Sequence, residues 1–254
     1  MLYASFEVKN ETEITVKLLR RNNASKLQHI MQSYWLNKEG NEDIVIFVLG
    51  WATDHRLVEH IGLPGYDVLC LYDYSAADFD GKISPDYFTA EQYRRRYLFA
   101  WSFGVLVADK LLGEYEFTRA VALNGTPAPV SDLYGIEPRR LAITIRGLAN
   151  GGMEAFNKKA YGDLYEELSL VLSPRPLGRN IEELTVLQKV SLEAYMPCLQ
   201  WSRAIIGSSD VRFSPVNMER YWSSQAKIPV EILPSPHYPF AHGRIGTDER
   251  EQEK

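Results

Sequence analysis

The stretch Tyr97–Val107, YLFAWSFGVLV, constrains this chain more than any other. An apolar run of strand character leads into Ala100-Trp101-Ser102-Phe103-Gly104, and a second apolar run follows with helical spacing. A serine with a small residue two positions before and two after it, between a buried strand and a helix, has the pattern of a nucleophile elbow. The small flanks are a steric requirement, because the sharp turn presses those positions against the neighbouring strand and helix. The usual pattern is G-x-S-x-G, and alanine at position 100 departs from it by one methyl group. Five residues alone make a loose pattern, so its meaning depends on what the rest of the chain supplies.

The surrounding segments point to a doubly wound parallel sheet. Ile44–Leu49 (IVIFVL) and Asp67–Tyr72 (DVLCLY) are continuous apolar runs, the signature of strands buried on both faces. Arg119–Leu123 (RAVAL) is a third, closed by Asn124-Gly125-Thr126-Pro127. Between them lie a helix-like stretch at Val58–Ile61, a turn-rich loop DYSAADFDGKISPD, a polar helix around Ala90–Arg96 and a helix over Phe103–Leu112. Strands alternating with helices at this spacing predict an α/β fold.

From about Ala128 to Gln200 only helical patterning is present, in amphipathic stretches at Pro138–Ala149, Met153–Tyr161, Leu164–Leu172 and Ile181–Met196. The alternating pattern then returns with Arg203–Ile206, a short helix at Met218–Ser223, and Val230–Leu233. The expected organisation is an appended segment over 1–30, a first core part over 31–127, an all-helical cap over 128–200, a second core part over 201–241 and a polar tail over 242–254. Of 254 residues, 45% are hydrophobic and 24% charged, and the net charge of −5 leaves no global basic footprint for nucleic acid. The N-terminal MLYASFEVKNETE lacks the basic and apolar regions of a signal peptide. No apolar run is long enough to span a membrane. Cys70 and Cys198 lie far apart in apolar runs and are expected to be buried free thiols. A cytoplasmic protein follows from these features.

A serine is a weak nucleophile unless a histidine accepts its proton and an acid orients that histidine. Behind an elbow serine, acid and base are expected in the order Ser, Asp, His, each after a later strand. Asp210 follows the strand Arg203–Ile206, and His237 follows the strand Val230–Leu233. In an open parallel sheet, ligands bind at the carboxyl ends of the strands. Asp132, after the strand that follows the elbow, is the alternative acid, while His29, His55 and His60 precede the serine and His242 falls in the tail. The backbone N–H groups of Phe103 and Trp51 are the expected oxyanion donors, since Gly50 lets the chain turn at the end of an early strand. Trp51, Trp101 and Phe103 are expected to wall the substrate pocket. This chemistry needs no cofactor and no metal.

The run IVIFVLGWATD, the acidic loop DYSAADFD, the elbow FAWSFGV, the strand end LNGTPAP and the terminal SPHYPF together resemble the BioG-type pimeloyl-[acyl-carrier protein] methyl ester esterases, over about Met31–Phe240. The resemblance implies an α/β-hydrolase fold, a mostly parallel sheet flanked by helices, with a helical cap. It also implies hydrolysis of the methyl ester of pimeloyl-[acyl-carrier protein] to the free acid and methanol, in biotin biosynthesis. Nucleophile, base and acid then fall on Ser102, His237 and Asp210, and the oxyanion donors on Trp51 and Phe103. Ala100 is no departure from this family's A-W-S-F-G elbow. The implied partner is the acidic acyl carrier protein, so an acidic enzyme needs a locally basic docking surface. Arg139, Arg140 and Arg146 of the cap are the candidates, and Lys158, Lys159, Arg175 and Arg179 add to its positive charge. A thioesterase or small-ester esterase would use the same residues, and a non-catalytic protein of the same fold would have no need of them.

Overall fold

A computed structural model of the chain describes residues 30–80, 92–172, 174–225 and 227–241. The expected N-terminal appendage and the tail therefore lie outside the described residues, apart from Ile30. Among the described residues seven strands are formed: β1 (Gln32–Asn37), β2 (Asp43–Val48), β3 (Asp67–Tyr72), β4 (Arg95–Trp101), β5 (Arg119–Leu123), β6 (Arg203–Gly207) and β7 (Val230–Leu233). They make one sheet in the order β1-β3-β2-β4-β5-β6-β7. Only β1 runs antiparallel to its neighbour β3; every other pairing is parallel. This is the mostly parallel, helix-flanked sheet of the α/β-hydrolase fold.

The continuous apolar runs are explained by the two faces of the sheet. In β2, Ile44, Ile46 and Val48 enter one core cluster, and Val45 and Phe47, with Leu49 just past the strand end, enter the other. In β4, Leu98 and Ala100 share the first cluster, while Tyr97, Phe99 and Trp101 join the second. Side chains alternate across a strand, so a strand covered on both faces shows no polar alternation. Ala100 pairs with Val48 on one side and Ala122 on the other, with no exposure to solvent. An added side-chain volume there would press on both neighbours.

The helices are α1 (Ala76–Asp80), α2 (Gly104–Leu112), α3 (Pro138–Tyr161), α4 (Tyr165–Leu168), α5 (Leu177–Leu192) and α6 (Pro215–Ser224). Among the described residues three α-helices, α3 to α5, occupy the stretch between β5 and β6. The patterns at Pro138–Ala149 and Met153–Tyr161 merge into the single element α3, kinked at Gly152, whose φ of 71° and ψ of −173° are open to glycine. The chain comes back to the sheet through a buried carboxylate on α2: Asp109 accepts the Cys198 N–H at 3.0 Å and the Trp201 indole N–H at 2.9 Å. Among the described residues no helix is long and apolar enough to cross a membrane.

Four local expectations are corrected. The polar helix around Ala90–Arg96 is not formed where it can be described: Arg95 and Arg96 open β4, pairing with Asp43 and Ile44. The Arg95 guanidinium, 2.6 Å from Asp43, holds that carboxyl below its usual range. An ion pair across the sheet here wins over the helical tendency of a charged run. The helical turn near Val58–Ile61 falls earlier, over His55–Leu57, because Asp54 caps it by accepting the Arg56 N–H. Of Leu164–Leu172, only Tyr165–Leu168 is α-helical, following a 3₁₀ turn at Gly162–Leu164. Cys198 is exposed while Cys70 is buried, both as free thiols; the apolar run around Cys198 is irregular chain, which has only one side to bury.

Candidate active site

The end of β4 carries Ser102 into the left-handed region, at φ 60°. The elbow is built by close approaches that only small residues permit. A Cβ on Gly104 would lie 2.2 Å from the Val48 carbonyl oxygen, and one on Gly125 would lie 2.4 Å from the Ser102 carbonyl oxygen. The Ser102 N–H donates to the Leu123 carbonyl at 2.9 Å, which ties the turn to β5. Gly50, at the end of β2, stands so near that a Cβ there would be 3.6 Å from Ser102 Oγ.

Ser102, His237 and Asp210 form one hydrogen-bonded chain. His237 Nε2 is 3.1 Å from Ser102 Oγ, and His237 Nδ1 is 2.7 Å from Asp210 Oδ2. All three residues are buried. The second Asp210 oxygen accepts the N–H groups of Arg212, at 2.7 Å, and Phe213, at 3.0 Å, so the carboxylate is fixed at both ends. Asp132, the alternative acid, is exposed, and its carbonyl accepts from Asn217 at 3.3 Å. The contact with His237 belongs to Asp210.

The loop holding His237 is anchored by residues whose part was not legible in the sequence. The Trp101 indole N–H donates to the His237 carbonyl at 2.8 Å. Asn124, itself at φ 45°, donates to the Pro236 and His237 carbonyls at 3.0 and 2.9 Å and accepts the Gly207 N–H at 2.6 Å. It thus joins the carboxyl ends of β5, β6 and β7. The Asn-Gly after β5 signalled a turn, but nothing in the sequence announced this bridging. Phe213 stacks parallel to the His237 ring, with centroids 5.9 Å apart, and limits its tilt.

A cleft opens above Ser102, walled by Trp51, Phe103, Leu141, Phe156, Tyr161 and Leu184, with Trp101 and His237 also in its lining. Trp51, Trp101 and Phe103 thus all line this cleft. Among the described residues, the N–H groups of Trp51 and Phe103 have no hydrogen-bond partner. Two guanidinium groups, of Arg140 and Arg212, also line the cleft. Arg212 lies over the Phe156 ring at 3.8 Å and donates to the Phe156 carbonyl; burial, with Arg140 adding to it, lowers the guanidinium pKa to about 10. The three arginines expected on one basic surface, Arg139, Arg140 and Arg146, are all exposed on α3; Arg140 also reaches the rim of the cleft and donates to the Val211 carbonyl at 2.7 Å. Arg175 and Arg179, by contrast, are turned inward, with side chains only 13% and 14% exposed, in ion pairs with Asp73. Their charge is consumed within the fold.

The chain matches the family described as pimeloyl-ACP methyl esterase BioG over residues 31–244. It belongs to that family. A Haemophilus influenzae protein is 30% identical over 203 residues, covering 79% of this chain and 90% of its own length. A malonyl-[acyl-carrier protein] O-methyltransferase of Bacteroides fragilis is 29% identical over 185 residues, or 71% of this chain, but the chain spans only 36% of that protein. The crystal structure of BioG from Haemophilus influenzae matches with a TM-score of 0.71 at 28% identity, covering 84% of this chain and 95% of its own. An enol-lactonase from Burkholderia xenovorans, 13% identical with a TM-score of 0.55 over 82% of this chain and 89% of its own, shares the fold.

Proposed function

We propose that this chain is a serine carboxylesterase that hydrolyses the methyl ester of pimeloyl-[acyl-carrier protein], giving the free ω-carboxylate and methanol. The observation that carries this reading is the chain of hydrogen bonds from Ser102 through His237 to Asp210 at the floor of an apolar cleft, in a member of the BioG family. His237 Nε2 takes the Ser102 proton as Oγ attacks the ester carbonyl. Asp210 accepts a hydrogen bond from Nδ1–H, which leaves the Nε2 lone pair free to act as base, and its charge stabilises the imidazolium that forms. The negative charge on the carbonyl oxygen is received by the N–H groups of Phe103 and Trp51, each such donor being worth about 10²–10³ in rate. As the tetrahedral intermediate collapses, His237 returns the proton to the departing methoxide, releasing methanol. Water then enters, His237 takes its proton, and the acyl-Ser102 ester is cleaved by the same sequence.

The cleft suits a long aliphatic chain threaded between Leu141, Leu184 and Phe156. In this reading, residues 128–200 act as a cap over the ester end, and the exposed Arg139 and Arg146 face the acidic carrier. The test is product analysis with methyl pimeloyl-carrier protein, where mass spectrometry separates loss of the methyl group from loss of the whole acyl chain. Methanol release that disappears in Ser102→Ala, together with fluorophosphonate labelling of Ser102, is the expected result. Cleavage at the thioester, or full activity in Ser102→Ala, would overturn the reading. Wild type should also restore growth of a biotin auxotroph lacking its own esterase, where Ser102→Ala should not.

A further inference from the structure

Helix α5 sends a carboxylate to the rear of the loop that carries Trp51. Glu183 has no solvent exposure, and its two oxygens are shared among three donors. Oε2 accepts the Ala52 N–H at 3.1 Å and Arg175 Nη2 at 2.9 Å, and Oε1 accepts the Tyr74 N–H at 3.0 Å. These amides belong to two unusual turns. Ala52 and Asp73 are non-glycine residues in the left-handed region, at φ 59° and 60°, after the ends of β2 and β3. Such a conformation costs about 1–2 kcal/mol for a residue with a Cβ, so surrounding bonds must hold it. One turn earlier on α5, the Asn180 carbonyl accepts the Trp51 indole N–H at 2.6 Å. Helix α5 thus grips both the side chain of Trp51 and the peptide that follows it.

A buried carboxylate is an expensive way to fill space, and a well-packed apolar side chain of similar volume often stabilises as well or better. Burial pushes the Glu183 carboxyl above its ordinary range, and the Arg175 guanidinium opposes that shift. Arg175 also pairs with Asp73, and Arg179 donates to the same Asp73 oxygen at 2.9 Å and to the Tyr74 carbonyl at 3.0 Å. The whole arrangement converges on the backbone beside Trp51 and on the adjoining loop, not on the cleft itself.

We propose that Glu183 is a positioning residue for the oxyanion-binding N–H of Trp51. By holding the Ala52 amide in its left-handed turn, it fixes the plane of the preceding peptide and aims the Trp51 N–H toward Ser102. The oxyanion hole is then complete only while α5 is docked on the β2 loop. This inference rests on the reading of Ser102 as nucleophile and Trp51 N–H as donor.

Two variants test it: Glu183→Gln, which keeps the volume but sets an NH₂ among donors, and Glu183→Asp, which keeps the charge and shortens the reach. Each is assayed on a small soluble methyl ester and with a trifluoromethyl ketone. The ketone carbonyl adds the Ser102 oxygen, the proton passing to His237, and leaves an oxyanion facing the same donors. In folded variants kcat should fall about 10–10²-fold, part of what a whole donor contributes, with KM changed less than about twofold. The ketone inhibition constant should rise by the same factor as kcat falls. A folded variant with unchanged kcat and unchanged ketone affinity would overturn the proposal, as would a rise in KM alone. If Ser102→Ala in parallel keeps full activity, or wild type fails to bind the ketone, the underlying reading has failed instead.

Discussion

Ser102 occupies a conformation that L residues avoid, and the residues two positions to either side, Ala100 and Gly104, are small because of it. Gly104 is the sharpest case, since the atom an added Cβ would strike is a strand carbonyl, Val48 O, with no freedom to retreat. Gly104→Ala is therefore expected to lower the unfolding free energy by about 2 kcal/mol or more, measured by urea denaturation; equal stability would show that the elbow can relax. Position 100 behaves differently. Its alanine fits between Val48 and Ala122, and Ala100→Gly should cost only about 0.5–1 kcal/mol, from the freedom glycine loses in a strand. The elbow motif is thus strict on the helix side of the serine and permissive by one methyl on the strand side.

At the scale of elements, the kink in α3 turns Phe156, Ala160 and Tyr161 into the cleft wall. A Cβ at Gly152 would meet no atom, so the requirement for glycine is purely one of backbone conformation. Gly152→Ala should destabilise by about 1–3 kcal/mol, seen as a lower Tm; an unchanged Tm would mean that the helix straightens without loss. The start of β3 is held by Asp67, which accepts the Glu39 and Asn41 N–H groups and the Asn41 amide through Oδ1, each at 3.0 Å, and the Tyr93 hydroxyl through Oδ2 at 3.0 Å. Burial would raise its pKa, but these bonds together outweigh that and lower it. A depressed folded-state pKa contributes stability above the unfolded value, about 3.9, and loses it as pH falls through the folded value. Asp67→Asn should cost about 1–3 kcal/mol at pH 7, and the gap to wild type should narrow as denaturation is repeated at pH values below about 4. A gap independent of pH would exclude the ionised carboxylate as its source.

For the whole molecule, the net charge of −5 makes encounter with an acidic partner depend on where the positive charge remains free. Arg175 and Arg179 are paired within the fold, and Arg140 reaches the cleft, so Arg139 and Arg146 are the pair that can be reversed without touching the site. Arg139→Glu with Arg146→Glu should raise KM for the carrier-bound ester several-fold at low salt, with the effect shrinking as ionic strength rises. Small soluble esters should be hydrolysed as before. Equal losses on both substrates would place the effect in the cleft rather than on the surface.

The sequence by itself determined the parallel α/β sheet, because strands covered on both faces must be apolar at every position, as in Ile44–Val48. It also determined the order of Ser102, Asp210 and His237, after β4, β6 and β7, since a parallel sheet delivers all its strands to the same edge. What only the tertiary structure decided lies between segments far apart in the chain. Asn124 bridging to Pro236 and His237, Phe213 against His237, Arg140 facing the cleft and Glu183 behind Ala52 all depend on which loops meet. Hydrophobic periodicity records that a position is buried or exposed, but not what lies across from it. At its helical spacing Glu183 has the sequence signature of any solvated glutamate, and only the β2 loop resting on it makes it buried.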